Sequence, residues 1–282
     1  MRDTAPARID AHQHFWRYSP DDYGWIGEGM DAIARDFLPA DLAVEMDAVG
    51  INASIAVQAR QSDAETDWLL KLARDNDRIA GVVGWVDLRS PVLGERLEAL
   101  SVEPKLKGFR HVIQDEPDPD FMLRPEFIAG VRQALAAGFA YDILVFARQA
   151  DRVPQFLESC GEGRFILDHI AKPDIAGGTG FADWESAIRR IAEYPSCYCK
   201  VSGMVTEADL AGWSPDTFAR YLDVVFEAFG TDRIMFGSDW PVCLLAGSYS
   251  QVHGIVADRV ESLGVDARDA VLGASATRAY AI

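Results

Sequence analysis

Positive charge is in short supply in this sequence: 27 lysines and arginines face 44 acidic residues, a formal net charge of −17 over 282 residues. Binding nucleic acid or an anionic membrane surface takes clustered cations, so neither is expected as a partner, whereas a small neutral or weakly charged molecule is. Long apolar runs are missing too. None approaches the length that crosses a bilayer, and residues 1 to 11 contain no apolar signal-peptide core, so a cytosolic protein is expected. The four cysteines, Cys160, Cys197, Cys199 and Cys243, form no Cys-x-x-Cys pair, which sets aside a disulfide framework and a thiolate zinc site and leaves buried free thiols. A linker is also lacking. The richest glycine stretch, Gly177 to Gly180, runs almost directly into the amphipathic segment Phe181 to Tyr194, so residues 1–282 are expected to form a single domain.

Present throughout is an alternation of short apolar runs with amphipathic segments, the pattern of strand-helix units around a parallel sheet. The runs are Ile9 to Phe15, Ala53 to Gln58, Ala80 to Val86, Leu106 to Val112, Phe139 to Val145, Arg164 to Ile170, Cys197 to Gly203 and Arg233 to Asp239. Several are apolar almost without interruption, as strands buried on both faces must be. Ser62 and Glu65 have the spacing of a capping box ahead of Trp68, Leu69, Leu72 and Ala73, and Ser214-Pro215 opens another helix. Trp68, Trp184 and Trp213 fall on helices and are expected in the core. Eight units imply an α/β fold, a (β/α)8 TIM barrel whose site lies at the C-terminal ends of the strands. A doubly wound open sheet would place a glycine-rich phosphate loop after the first strand, and none follows Ile9 to Phe15. The long segment from Trp16 to Asp36, rich in glycine and aromatic residues, is expected to cover the site.

Four of the five histidines fall at expected strand ends, with His253 left on a helix. His12 and His14 lie two apart on the first strand, so alternation turns both imidazoles to one side. His169 lies near the end of the sixth strand and Asp239 at the end of the eighth, next to the first in a closed barrel. Imidazoles suit zinc and other divalent metals, and a carboxylate beside them can bind metal or activate water. On the fourth strand, adjacent Arg110 and His111 should point to opposite faces, with His111 the favoured pocket residue. Trp16, Trp85 and Trp240 sit at or just beyond expected strand ends, where indole rings could pack on a substrate. Gln58 could contact a hydroxyl, and Lys172, with Arg110 and His111, could donate to a developing oxyanion.

Four segments together resemble the amidohydrolase superfamily, in its branch of sugar-lactone hydrolases acting on lactones such as those of L-fuconate and L-rhamnonate. They are Ile9-Asp10-Ala11-His12-Gln13-His14-Phe15-Trp16, Lys107-Gly108-Phe109-Arg110-His111, Leu167-Asp168-His169-Ile170-Ala171-Lys172-Pro173 and Phe236-Gly237-Ser238-Asp239-Trp240-Pro241. The resemblance implies His12, His14, His169 and Asp239 as metal ligands, Asp239 also as general base. The fifth strand lacks a histidine, and the fourth carries Arg110 and His111 where two-metal members have a bridging lysine or glutamate. At most one divalent metal is therefore expected, zinc first, and the branch need not require it for activity. Lactone opening is the leading expectation, in a possible homo-oligomer. Metal-dependent decarboxylation of an aromatic or unsaturated acid is a second, and binding of a sugar acid without turnover a third.

Overall fold

Every one of the eight apolar runs contributes a strand to one parallel sheet with the order β1 to β8 in the computed structural model, which describes residues 7–282. The part of the signal-peptide reading that falls on residues 1–6 lies outside the described residues. The first four units are β1 (Ile9–Gln13) and α1 (Pro39–Val49), β2 (Ala53–Val57) and α2 (Asp63–Asp75), β3 (Ile79–Gly84) and α3 (Leu93–Leu100), and β4 (Leu106–His111) and α4 (Pro125–Ala136). The last four are β5 (Ala140–Ile143) and α5 (Val153–Cys160), β6 (Phe165–Leu167) and α6 (Phe181–Ala192), β7 (Cys197–Val201) and α7 (Pro215–Phe229), and β8 (Ile234–Phe236) and α8 (Tyr249–Glu261). Closure between β8 and β1 is made just beyond the strand ends, where Asp239 N donates to His12 O at 2.8 Å and His14 N to Trp240 O at 2.7 Å.

The strand interiors are as apolar as continuous burial on two faces requires. At the bottom of the barrel Ile9, Ala11, Ile55, Val57, Val83, Ala140, Ile166 and Met235 pack against Ala276, Ala279 and Tyr280 of the C-terminal helix. The helices bury their own apolar stripes around the outside, joining the larger core. All four cysteines are buried and free. No described helix is long and apolar enough to cross a membrane.

Local structure departs from expectation in three places. The apolar runs overstate β6 and β8, which stop at Leu167 and Phe236 because the residues that follow turn into left-handed backbone. Ser62 and Glu65 form no capping box: the Glu65 carboxylate instead accepts from the backbone N–H of Ala59 and Arg60, both at 3.0 Å, and from Tyr23 OH at 3.3 Å. Trp213 lies in the loop before α7, where its indole N–H donates to Ala246 O at 2.8 Å.

Candidate active site

A cavity of about 690 Å3 opens at the C-terminal ends of the strands, with His14, Arg110, His169 and Asp239 at its floor. Trp25 and Met30, from the long connection between β1 and α1, form part of its wall, so that segment does cover the cavity. The floor is shaped by unusual backbone. From His169 to Lys172 four successive residues have φ between 44° and 59°, and Asp239 has φ 56°. Left-handed geometry costs an L-residue on the order of 1–2 kcal/mol, and for β-branched Ile170 it is a genuine outlier. Such a turn holds the His169 ring across the barrel axis instead of letting β6 continue outward. Gly203, with φ +63°, passes so close that a Cβ there would lie 2.5 Å from His169 Nδ1. Asp10 anchors the opposite side: its carboxylate accepts from Ser238 N at 2.9 Å, Ser238 Oγ at 2.6 Å and Tyr249 OH at 3.1 Å, fixing the turn that presents Asp239.

Three imidazole Nε2 atoms surround Asp239 Oδ1, His14 at 3.3 Å, His12 at 3.8 Å and His169 at 4.0 Å. The register with β2 shifts between Asp10 and Gln13, so Ala11 reaches the bottom cluster while the adjacent His12 also enters the interior. Burial favours the neutral form of each of two rings, pushing His12 well below the ordinary imidazole range and His169 down to about 3. Burial opposes ionisation of Asp239 as well, but the surrounding imidazoles, His169 first, outweigh it and hold this carboxyl well below the usual range. At neutral pH the floor therefore holds an ionised Asp239 beside neutral His12 and His169.

Beneath it lies a layer of charge that reasoning from histidines missed. Lys200 on β7 donates to Asp142 on β5 and stands 3.0 Å from Asp168 Oδ1, while Arg110 Nη1 lies 3.0 Å from Asp168 Oδ2. Tyr280 OH rises from the bottom of the barrel to donate to Asp142 at 2.7 Å. His12 is held between these groups, with Lys200 Nζ 3.1 Å from Nδ1 and Arg110 Nη1 3.2 Å from Nε2. A signal was available: Asp142 and Lys200 are lone charges inside otherwise apolar strand runs, and a buried charge must find a partner.

The structure brings His12, His14, His169 and Asp239 together, with Arg110 at the cavity floor and Lys172 on its wall. It corrects the preference for His111. Alternation on β4 sends Arg110 inward, and His111 faces away, hydrogen-bonded to Glu116 at 2.7 Å and stacked on Phe121 at 5.0 Å. Nor do Trp16, Trp85 and Trp240 form a sugar platform. Trp16 is buried with its N–H on Arg35 O, Trp85 points its N–H to His111, and Trp240 packs edge-on against Phe37 and Phe15. The tryptophan lining the cavity is Trp25. Gln58 is buried beside Arg110, its side chain 3.4 Å from Arg110 O, and contributes nothing to the cavity wall. His253 sits on α8, its ring edge-on to Phe236 and away from the site. Glu116 and Glu207, acidic residues on loops after β4 and β7, also line the cavity.

The donor set suits a divalent ion. His14 Nδ1 donates to Val57 O at 2.8 Å, a bond that fixes its tautomer and leaves the Nε2 lone pair free. Ser202 Oγ bonds His169 Nδ1 at 2.9 Å, so that ring too turns Nε2 inward. With Asp239 these are ready ligands, and His12 Nε2 is shared with Arg110. Ligand atoms of His12, His14 and Asp239 lie within 4.8 Å of one another.

The family described as amidohydrolase matches the chain over residues 9–282. An L-fucono-1,5-lactonase of Burkholderia multivorans is 47% identical over 98% of this chain and 96% of its own length. A second L-fucono-1,5-lactonase, from Burkholderia ambifaria, is 37% identical with the same coverage of each chain. Among solved structures, an amidohydrolase from Burkholderia multivorans with bound zinc superposes with a TM-score of 0.95 at 47% identity, covering 98% of this chain and 99% of that one.

Proposed function

The chain belongs to the amidohydrolase family, and we propose that within it the protein is a lactone hydrolase, opening a sugar-acid lactone, L-fucono-1,5-lactone or a close relative, to the free aldonic acid. The carrying observation is the ionised Asp239 carboxylate among three imidazoles at the floor of a cavity. The full-length likeness to two L-fucono-1,5-lactonases supports the same reading.

In this mechanism water beside Asp239 attacks the lactone carbonyl carbon as its proton passes to the carboxylate. The Arg110 guanidinium, at the cavity floor, meets the negative charge that develops on the carbonyl oxygen. When the ring C–O bond breaks, the departing oxygen takes back the proton from Asp239, so one group serves first as base and then as acid. A carboxyl held so far below its usual range gives up that proton readily. A divalent metal on His14, His169, Asp239 and His12, zinc first among candidates, would add Lewis-acid polarisation of the carbonyl.

The wall also favours a neutral substrate. Asp115, Glu116, Glu207 and Asp239 outnumber Arg60, Arg110 and Lys172, a poor setting for the anionic acids of a decarboxylase. The excess of negative charge likewise favours a small-molecule substrate over a nucleic-acid partner. The test is prompt titration of acid release from L-fucono-1,5-lactone, since such lactones also open spontaneously. An initial rate well above background is expected, and no enzymatic rate across a panel of aldonolactones would refute the reading.

A further inference from the structure

The cavity holds a pair of opposite charges that the protein itself does not use up. Lys172 ends the left-handed turn after β6, and Glu207 ends a short 3-10 turn, Val205–Glu207, after β7. Their head groups, Nζ and Oε1, stand 3.7 Å apart, beyond hydrogen-bond length, with no closer polar contact to either among the described residues. Lys172 Nζ otherwise lies 5.4 Å from the centre of the Phe146 ring. The two side chains are only 17% and 20% exposed, and their loops are tied together by Ala176 N donating to Glu207 O at 2.9 Å. The close passage of Gly203 past His169 brings the loop bearing Glu207 to the same side of the cavity as the floor residues. Burial raises the Glu207 carboxyl against the opposing pull of Lys172, as expected of an acid short of donors.

An ammonium offers three donors and no acceptor, and a carboxylate accepts without donating. Two neighbouring hydroxyls, each able to donate and accept, complete both. We propose that Lys172 and Glu207 together clamp a vicinal pair of substrate hydroxyls, and thereby make the cavity specific for neutral polyhydroxylated lactones over unsubstituted or anionic ones. This rests on the lactonase reading. It also accounts for an ion pair that faces the cavity with hydrogen-bonding capacity the protein leaves unmet.

The test compares kcat/KM for L-fucono-1,5-lactone and for δ-valerolactone, which has no hydroxyls, in the wild-type protein, Glu207→Gln and Lys172→Met. Each near-isosteric variant should lower the ratio of the two values roughly 10- to 100-fold, the worth of a hydrogen bond to a charged group. A ratio that stays at the wild-type value overturns the clamp, including the case where both activities fall together because the pair only braces the loops. Wild-type protein that opens neither lactone overturns the lactonase reading and the clamp with it. An intact lactonase with an unmoved ratio overturns the clamp alone.

Discussion

Two sets of charges meet at this site and are built differently. Inside the barrel Lys200 and Arg110 are matched by Asp142 and Asp168 across four strands, all at 4% side-chain exposure or less. At the cavity wall Lys172 and Glu207 face each other across a gap and keep unused hydrogen-bonding capacity. The first set holds His12, whose two ring nitrogens lie near Lys200 and Arg110, and of its members Arg110 also faces the cavity. The second is free to answer a ligand. The matched layer fixes the shape of the site, with Arg110 at its upper edge also meeting the substrate, and the open pair at the wall is left to bind.

The comparison breaks first, and hardest, at Lys200. Lys200→Met strands the buried Asp142 carboxylate, removes one of the two cations beside Asp168, and should cost roughly 3–5 kcal/mol of stability, read as a lowered denaturation midpoint. Adding Asp142→Leu should restore part of that loss, since removing both partners of a buried pair is far milder than removing one. A Lys200→Met protein as stable as wild type would show that the layer is not held by charge pairing.

Glu65 sharpens the contrast, as a buried carboxylate held by two backbone N–H groups and Tyr23 OH with no cation hydrogen-bonded to it. Burial raises it from 4.5 to about 7 against those hydrogen bonds. Because the folded form keeps the proton longer, its stabilising contribution is complete below the unfolded value and fades as pH rises through the folded one. Stability should therefore fall by on the order of 1–3 kcal/mol between about pH 5 and pH 8. Glu65→Gln, which can keep accepting from Ala59 N and Arg60 N, should flatten that fall. Urea midpoints at the two pH values check it, and an equal slope in both proteins would contradict the assignment. Smallest of all should be the stability effect of Lys172→Met at the cavity wall, under about 1 kcal/mol as for other partly solvated pairs.

The barrel was legible because strands buried on both faces leave apolar runs that no surface element would carry. His12, His14, His169 and Asp239 were legible because polar groups at the ends of such runs have few other uses. What stayed hidden depends on register and packing. The rule that Arg110 and His111 face opposite ways held, but only the pairing of β4 with its neighbours, and the aromatic nest of Phe121 and Phe127 that receives His111, decide which enters. The apolar run continues past the end of β8 and so suggests that Trp240 is available, but the left-handed turn at Asp239 leads it into contact with Phe37. Lys200 and Asp142 were visible as letters, but their meeting requires that β5 and β7 face one another across a closed interior.

The most direct test of the account is the initial rate of L-fucono-1,5-lactone opening by Asp239→Asn beside wild type, each assayed with and without added zinc. Loss of the general base should lower kcat by about 10²- to 10⁴-fold in both conditions. A variant that keeps the wild-type rate in either condition would contradict the central place given to Asp239.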